Sequence, residues 1–145
     1  MAFGGDSSER SLRPFVAGGL TAAAWVDAAC QHAIAGKLAC REISGWLRGS
    51  PIQEPEFRLL WLLAGKANAT ECSLDQAELA ERLVVSPAQV SGAVERLRSL
   101  GLLERVQHER DRRRQLWRVT DAAGELLGQI VGSVANASRQ REDAA

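Results

Sequence analysis

The chain has 145 residues, of which 46% are hydrophobic and 25% charged, and its formal net charge is zero. These values are typical of one soluble globular domain and exclude a chain that is a polycation as a whole. The longest apolar runs are too short to cross a membrane, so no membrane partner is expected.

The cysteines and histidines argue against a disulfide framework and a metal site. Cys30, Cys40 and Cys72 are odd in number and lack the spacing of metal ligands, which favours a reducing, cytoplasmic location. Neither histidine has a second one within ligand spacing. The apolar stretch FVAGGLTAAAWVDAAC ends at a cysteine as a lipoprotein signal does, but Asp27 interrupts it. We therefore expect no signal, metal or cofactor.

The N-terminal third predicts a tail followed by one long helix. Residues 1–16 are rich in glycine, serine and charge, and we expect them to be flexible. Apolar residues then recur at helical spacing from Leu20 to Leu47, within a segment taken as 17–53. A chain of this size can hardly cover that apolar stripe, so the stripe predicts a homodimer interface. After the break RGSPIQEPE, the sequence FRLLWLLAGKA is apolar on all sides and predicts a buried helix.

The sequence SLDQAELAERLVVSPAQVSGAVERLRSLG predicts two short helices separated by a tight turn. Ser86 can cap the second helix, Pro87 suits its first position, and Gln89 completes a capping box. Gly101 can end that helix in the left-handed conformation.

Beyond Gly101 the apolar period changes from helical to alternating, which predicts two strands, LLERVQ and QLWRVT, joined by HERDRRR. Val106, Trp117 and Val119 should face inward, and Leu103 fits this pattern less well. Between residues 81 and 118, nine arginines outnumber five acids, so a positive surplus of four lies on this part of a neutral chain. Thr120 can cap a last helix, DAAGELLGQIVGSVA, with SRQREDAA fraying at its end.

These elements predict a mainly α fold with a small β-hairpin, the winged helix-turn-helix plan, over residues 54–120, with 121–145 as a second helical dimerisation segment. In this plan the second helix lies in the major groove of double-stranded DNA, and the hairpin tip reaches the minor groove or backbone. The predicted reading residues are Ser86, Pro87, Ala88, Gln89, Ser91, Gly92, Glu95 and Arg96. The predicted wing contacts are Arg110, Asp111, Arg112, Arg113 and Arg114.

The sequence LDQAELAERLVVSPAQVSGAVERLRSLGLLERV, followed by DRRRQLWRVTDAAGELL, resembles the MarR family of bacterial transcriptional regulators. The resemblance covers about 57–131 and implies a homodimer that binds a roughly palindromic operator. It implies that Arg113 probes the minor groove and that Asp111 holds it or the wing. The family's frequent Val-Ser-Arg reads here Val90, Ser91, Gly92, so one arginine of the recognition helix is missing.

The resemblance also implies a ligand pocket between the dimer interface and the DNA-reading lobes, and hence a small aromatic or phenolic effector. Candidate lining residues are Trp25, His32, Trp46 and Trp61. Two alternatives to a ligand-released repressor stay open: a winged-helix module for protein contact, and a cysteine-based redox sensor. The sensing branch of the family holds its cysteine with tyrosines, and this chain has none. Motifs for enzymatic chemistry are missing from the sequence, so we expect no catalytic activity.

Overall fold

A computed structural model of the protein describes residues 21–65, 73–107 and 110–145. The described elements are five helices and one hairpin, in the order α1 (Ala22–Trp46), α2 (Glu54–Gly65), α3 (Gln76–Leu83), α4 (Pro87–Ser99), β1 (Leu103–Gln107), β2 (Gln115–Val119) and α5 (Asp121–Asp143). This confirms the predicted mainly α fold with a β-hairpin wing. The predicted N-terminal tail, Cys72 and two residues of the wing loop, 108 and 109, lie outside the described residues.

The chain divides into two compact units, Met1–Ile43 and Ser44–Ala145. Most of α1 belongs to the first unit, and its last three residues belong to the second. The helix confirms the predicted long helix, and none of its residues is buried. Apolar side chains along it remain in contact with solvent: Val26 is 62%, Ile34 52% and Leu38 54% exposed. None of the described helices is long and apolar enough to span a bilayer.

In the second unit, α2 supplies much of the core. Its start is capped by Glu56, whose Oε2 accepts the backbone N–H of Gln53 at 2.7 Å. Leu59, Leu60 and Leu63 are almost fully buried. The sequence predicted that this helix is buried on all sides, but one face of it is exposed. Trp61 is 53% exposed and stacks on Phe57 with 6.0 Å between ring centroids.

The helix-turn-helix pair α3 and α4 is defined by caps at both helix starts. Asp75 and Glu78 form a capping box on α3, and Ser86 and Gln89 form the predicted one on α4, with Pro87 in its first turn. Val84 adopts the left-handed conformation between the helices, with φ of 55°. This conformation costs a non-glycine residue about 1–2 kcal/mol, so the tight turn is held by the packing of the two helices.

The hairpin is antiparallel, with a register from Leu103↔Val119 to Gln107↔Gln115. Trp117 is 1% exposed as predicted, but the expected alternation is wrong elsewhere. Leu103 and Leu116 are buried, whereas Val106 and Val119 are only half-buried. β2 pairs with β1 along one edge and forms a bridge from Trp117 to Leu74 along the other. Its consecutive residues 116 and 117 point to opposite faces of the hairpin, so both faces are covered at this point.

Helix α5 begins at Thr120, whose hydroxyl accepts the backbone N–H of Ala123 at 3.3 Å and donates to the carbonyl of Gly101 at 2.7 Å. Gly101 has the predicted left-handed conformation, with φ of 75°. Leu127 and Ile130 are buried in the core. The helix continues to Asp143, beyond the point where fraying was expected. The stretch after Gly132 contains neither glycine nor proline, so local propensity carries the helix onward.

Candidate nucleic-acid interface

Helix α4 has one buried and one exposed face. Val90, Val94 and Leu97 are at most 1% exposed and fix the helix in the core. All the residues predicted to read DNA are on the exposed side: Ser86, Pro87, Ala88, Gln89, Ser91, Gly92, Glu95 and Arg96. A Cβ at Gly92 would meet nothing within 4 Å, so this position has room for a side chain.

Gln89 has a structural role in addition to the predicted one. Its Oε1 accepts the backbone N–H of Ser86 at 2.9 Å, while the hydroxyl of Ser86 accepts the N–H of Gln89 at 3.2 Å. The capping box uses the oxygen of the amide and leaves its two N–H donors for another partner. A donor pair at the start of a groove-binding helix suits the acceptor edge of a base.

The C-terminal half of α4 is engaged within the protein. Arg96 forms an ion pair with Glu56, with 3.2 Å between Nε and Oε1, and lies 3.5 Å from the carbonyl oxygen of Pro51. Glu56 is only 5% exposed, so its charge requires such a partner. Glu95 pairs with Arg98 at 3.3 Å. Arg96 therefore holds α4 to the start of α2, and the residues before it are the freer part of the helix.

The tip of the wing is organised by Asp111. Its Oδ1 accepts the backbone N–H of Arg113 at 3.1 Å, and its carbonyl oxygen accepts the N–H of Arg114, also at 3.1 Å. Arg112 and Arg113 are exposed, and their side chains form no ion pair within the described ranges. Arg110 and Asp111 are exposed as well. The turn thus presents two guanidinium groups to solvent.

Arg114 was predicted to be a wing contact, but its side chain points away from the tip towards α3. Its Nε and Nη2 donate to Asp75 Oδ2 at 3.1 and 2.7 Å, and Nη2 donates to Glu78 Oε1 at 2.5 Å. Burial raises the pKa of Asp75, but hydrogen bonds from the Glu78 amide and Arg114 bring it below its ordinary value. The hydrogen bonds to Asp75 and then to Glu78 raise the pKa of Arg114. This arginine is held at the base of the wing.

Other arginines of the basic segment are also engaged. Arg118 pairs with Glu104 directly across the hairpin at 2.6 Å. The guanidinium carbon of Arg105 lies 5.4 Å from the ring centroid of Trp117, a cation–π arrangement. By contrast, Arg112 and Arg113 form no such ion pair with another described residue, so their positive charges face solvent at the tip.

The residues predicted to line a ligand pocket divide between the two units. Trp25 is half-buried and His32 exposed on α1, while Trp46 and Trp61 belong to the second unit and are 38% and 53% exposed. The second unit has clefts of about 430 and about 180 Å³, and neither is lined by these tryptophans. No cluster of side chains suited to a metal ion occurs among the described residues.

Sequence reasoning missed three acids that organise this interface: Glu56, Asp75 and Glu78. Asp75 and Glu78 have capping-box spacing in LDQAELAERL, so their capping of α3 could have been predicted from the sequence. Glu56 lies in an equally regular position, in the first turn of α2. Their pairing with distant arginines has no signal in the local sequence.

Two short helices, a tight turn and an arginine-tipped hairpin define a winged helix-turn-helix protein. Residues 50–114 match the sequence model described as MarR family, which confirms the resemblance seen in the sequence. No curated protein sequence matches the chain significantly.

Solved structures share the fold at low identity. A mutant of MepR from S. aureus, bound to an oligodeoxyribonucleotide, is 15% identical with a TM-score of 0.64, covering 87% of this chain and 86% of that one. A mutant of MarR from E. coli, complexed with operator DNA, is 20% identical with a TM-score of 0.64, covering 78% and 77%. The regulator BldR from Sulfolobus solfataricus is 17% identical with a TM-score of 0.65, covering 83% of each chain.

Proposed function

We propose that this protein is a cytoplasmic transcriptional regulator, a repressor, that binds a specific double-stranded DNA site as a homodimer and has no catalytic activity. The observation that carries this proposal is the wing tip. Arg112 and Arg113 are held in a turn by Asp111 and directed to solvent, on the same folded unit as an exposed recognition helix. Guanidinium groups bind phosphates or enter a narrow minor groove.

The recognition helix supplies the specific part of binding. The amide of Gln89 and the hydroxyl of Ser91 can hydrogen-bond base edges, and Ala88 can contact a thymine methyl group. Because Arg96 is paired with Glu56, readout is concentrated in the first two turns of α4. Gly92 stands where the family often has arginine, so we expect fewer charge-assisted base contacts.

The dimer is proposed from apolar surface that a single chain leaves exposed, on α1 and also on α5, where Val131 is 44% exposed. Two recognition helices related by a two-fold axis require a palindromic site with half-sites about 10 bp apart. Sedimentation at micromolar concentration should show a species of twice 15.7 kDa. Footprinting should protect two half-sites, and a lone asymmetric half-site under saturating protein would contradict the dimeric mode.

DNA binding is separated from a protein-contact role by its salt dependence. Neutralised phosphates release counterions, so affinity for duplex DNA must fall steeply as salt rises. We expect selection with purified protein to return a palindrome and its affinity to decrease in this way. Absence of any preferred duplex, together with binding that ignores salt, would favour the protein-interaction alternative.

Regulation is proposed to involve a small aromatic or phenolic effector rather than thiol oxidation. Trp25, His32, Trp46 and Trp61 are the candidate contacts, and a ligand that favours one spacing of the reading heads would change operator affinity, usually by about 1–3 kcal/mol. Organic hydroperoxide should leave operator binding unchanged. The control replaces Cys30, Cys40 and Cys72 by serine; release of wild type but not of this variant would make the cysteines the switch.

A further inference from the structure

The base of the wing is joined to the start of α3 by a contact between residues far apart in the sequence. Arg114 meets Asp75 and Glu78 across separations of 39 and 36 residues. The three groups are only partly exposed, with 38% of the Arg114 side chain, 23% of Asp75 and 38% of Glu78 open to solvent. We name Arg114, Asp75 and Glu78 the wing clamp.

The two acids of the wing clamp are held in place before the arginine binds them. Asp75 Oδ1 accepts the N–H of Glu78 at 2.8 Å, and Glu78 Oε2 accepts the N–H of Asp75 at 3.2 Å. The capping box thus uses one oxygen of each carboxylate and directs the other, Asp75 Oδ2 and Glu78 Oε1, to Arg114. A guanidinium fork suits such fixed acceptors, and little side-chain freedom remains to be lost by the acids.

The arginine of the wing clamp also belongs to the turn that shapes the tip. Its backbone N–H donates to the carbonyl oxygen of Asp111, whose side chain holds the N–H of Arg113. A displacement of Arg114 is therefore passed directly to the neighbouring turn. Because α3 packs on α4, the same contact also connects the tip to the recognition helix.

We propose that Arg114 is a positioning residue for DNA binding: it fastens the wing to the helix-turn-helix, so that the tip arginines and α4 engage one duplex together. This inference rests on the proposed function. We expect no phosphate contact from Arg114, because its Nε and Nη2 already donate to the two acids. Its charge is balanced inside the protein, whereas the charges of Arg112 and Arg113 are available to DNA.

Salt dependence distinguishes a positioning residue from a phosphate contact. Arg114→Ala should lower operator affinity about fivefold while the slope of log affinity against log salt stays unchanged. The matched control, Arg112→Ala, should reduce the magnitude of this negative slope by about one. Arg114→Lys keeps the charge but lacks the fork, so it should restore only part of the affinity. A slope reduced in magnitude as much in Arg114→Ala as in Arg112→Ala would overturn the proposal.

A second experiment changes the two acids of the wing clamp. The double variant Asp75→Asn/Glu78→Gln keeps an oxygen acceptor at each capping position but removes both negative charges. In this background Arg114→Ala should cost less than about twofold in further affinity, since the contact it removes is already weakened. A full fivefold loss in this background would show that Arg114 acts independently of the acids and would overturn the wing clamp.

A measurement without DNA separates failure of the wing clamp from failure of the proposed function. Backbone amides of residues 103–119 should exchange hydrogen faster in Arg114→Ala than in wild type, and equally fast in Arg112→Ala and wild type. Unchanged exchange in Arg114→Ala would overturn the wing clamp even if DNA affinity fell. If wild type bound no duplex, the proposed function would fail while this exchange comparison still decided the wing clamp.

Discussion

The tip and the base of the wing use the same residue type for opposite purposes. At the tip, Arg112 and Arg113 extend from a turn held by Asp111 and form no ion pair in the described part of the chain. At the base, Arg114 is bound by two carboxylates, and Arg118 by a third. A charged residue in the sequence therefore does not by itself indicate a charge that is available to a ligand. The acids within reach in the fold decide which arginines remain available.

Helix α4 shows the same division along its length. Its first turns offer polar groups of modest charge, and the amide donors of Gln89 are not used by the capping box. Farther along, Arg96 neutralises Glu56, which is almost fully buried. In both elements an arginine close to the core serves the fold, and the exposed groups beside it are proposed to serve DNA binding.

The largest expected effect is at the base of the wing. Trp117→Ala should lower the free energy of unfolding by about 3–5 kcal/mol, because a fully buried indole is lost and β2 is left next to a cavity. Urea denaturation measures the change. Arg112→Ala, at the tip, is the control and should stay within about 0.5 kcal/mol of wild type. Similar losses in both variants would remove the distinction between base and tip.

The next effect concerns sequence preference. Gln89→Ala should relax preference at one base position per half-site and cost about 1–3 kcal/mol on the selected operator. Since this change also removes a cap, Gln89→Glu is the control: it keeps the acceptor for the Ser86 N–H but loses the amide donors. Binding measured on a panel of single-base operator variants should show relaxed preference in both. Retained preference in Gln89→Glu would assign the loss in Gln89→Ala to capping.

At the tip, Arg113→Ala should weaken binding to operator and random duplexes alike, by about tenfold, with a salt slope smaller by about one. The side chain is exposed and carries no internal ion pair in the described residues, so unfolding should be unaffected. Fluorescence anisotropy at several salt concentrations tests this. A loss confined to the operator would instead place Arg113 among the residues that read sequence.

The smallest effect is a pH dependence at the base. The folded pKa of Asp75 lies below its ordinary 3.8. Ionised Asp75 therefore stabilises the fold fully above about pH 4, and this contribution is lost as pH falls through the lowered value. Asp75→Asn keeps the cap and should cost a few tenths of a kcal/mol near pH 6, since a partly exposed ion pair is worth little. Once the pH falls below the lowered pKa of Asp75, the difference from wild type should vanish; a constant difference would contradict the ionic origin.

Local signals were sufficient for much of the fold. Ser86, Pro87 and Gln89 predicted the start of the recognition helix, and Gly101 predicted its end, because caps act within one turn of chain. The spacing of apolar residues changes from helical to alternating beyond Gly101, and this change predicted the position of the hairpin. The same local reasoning placed the end of α5 too early, since polar residues without glycine or proline can extend a helix that buries nothing.

The order of elements, the winged-helix plan and the position of the basic tip follow from the sequence, because periodicity, caps and turn residues act over a few neighbours. The division of the arginines between tip and base depends on contacts between distant parts of the chain. Arg114 and Asp75 are 39 residues apart, and nothing near either one indicates the other. The tertiary structure also buries Leu116 and Trp117 together, because chain segments cover both faces of β2 at this point. Contacts of this kind depend on where the chain returns in space, and a pattern of neighbouring residues does not contain that information.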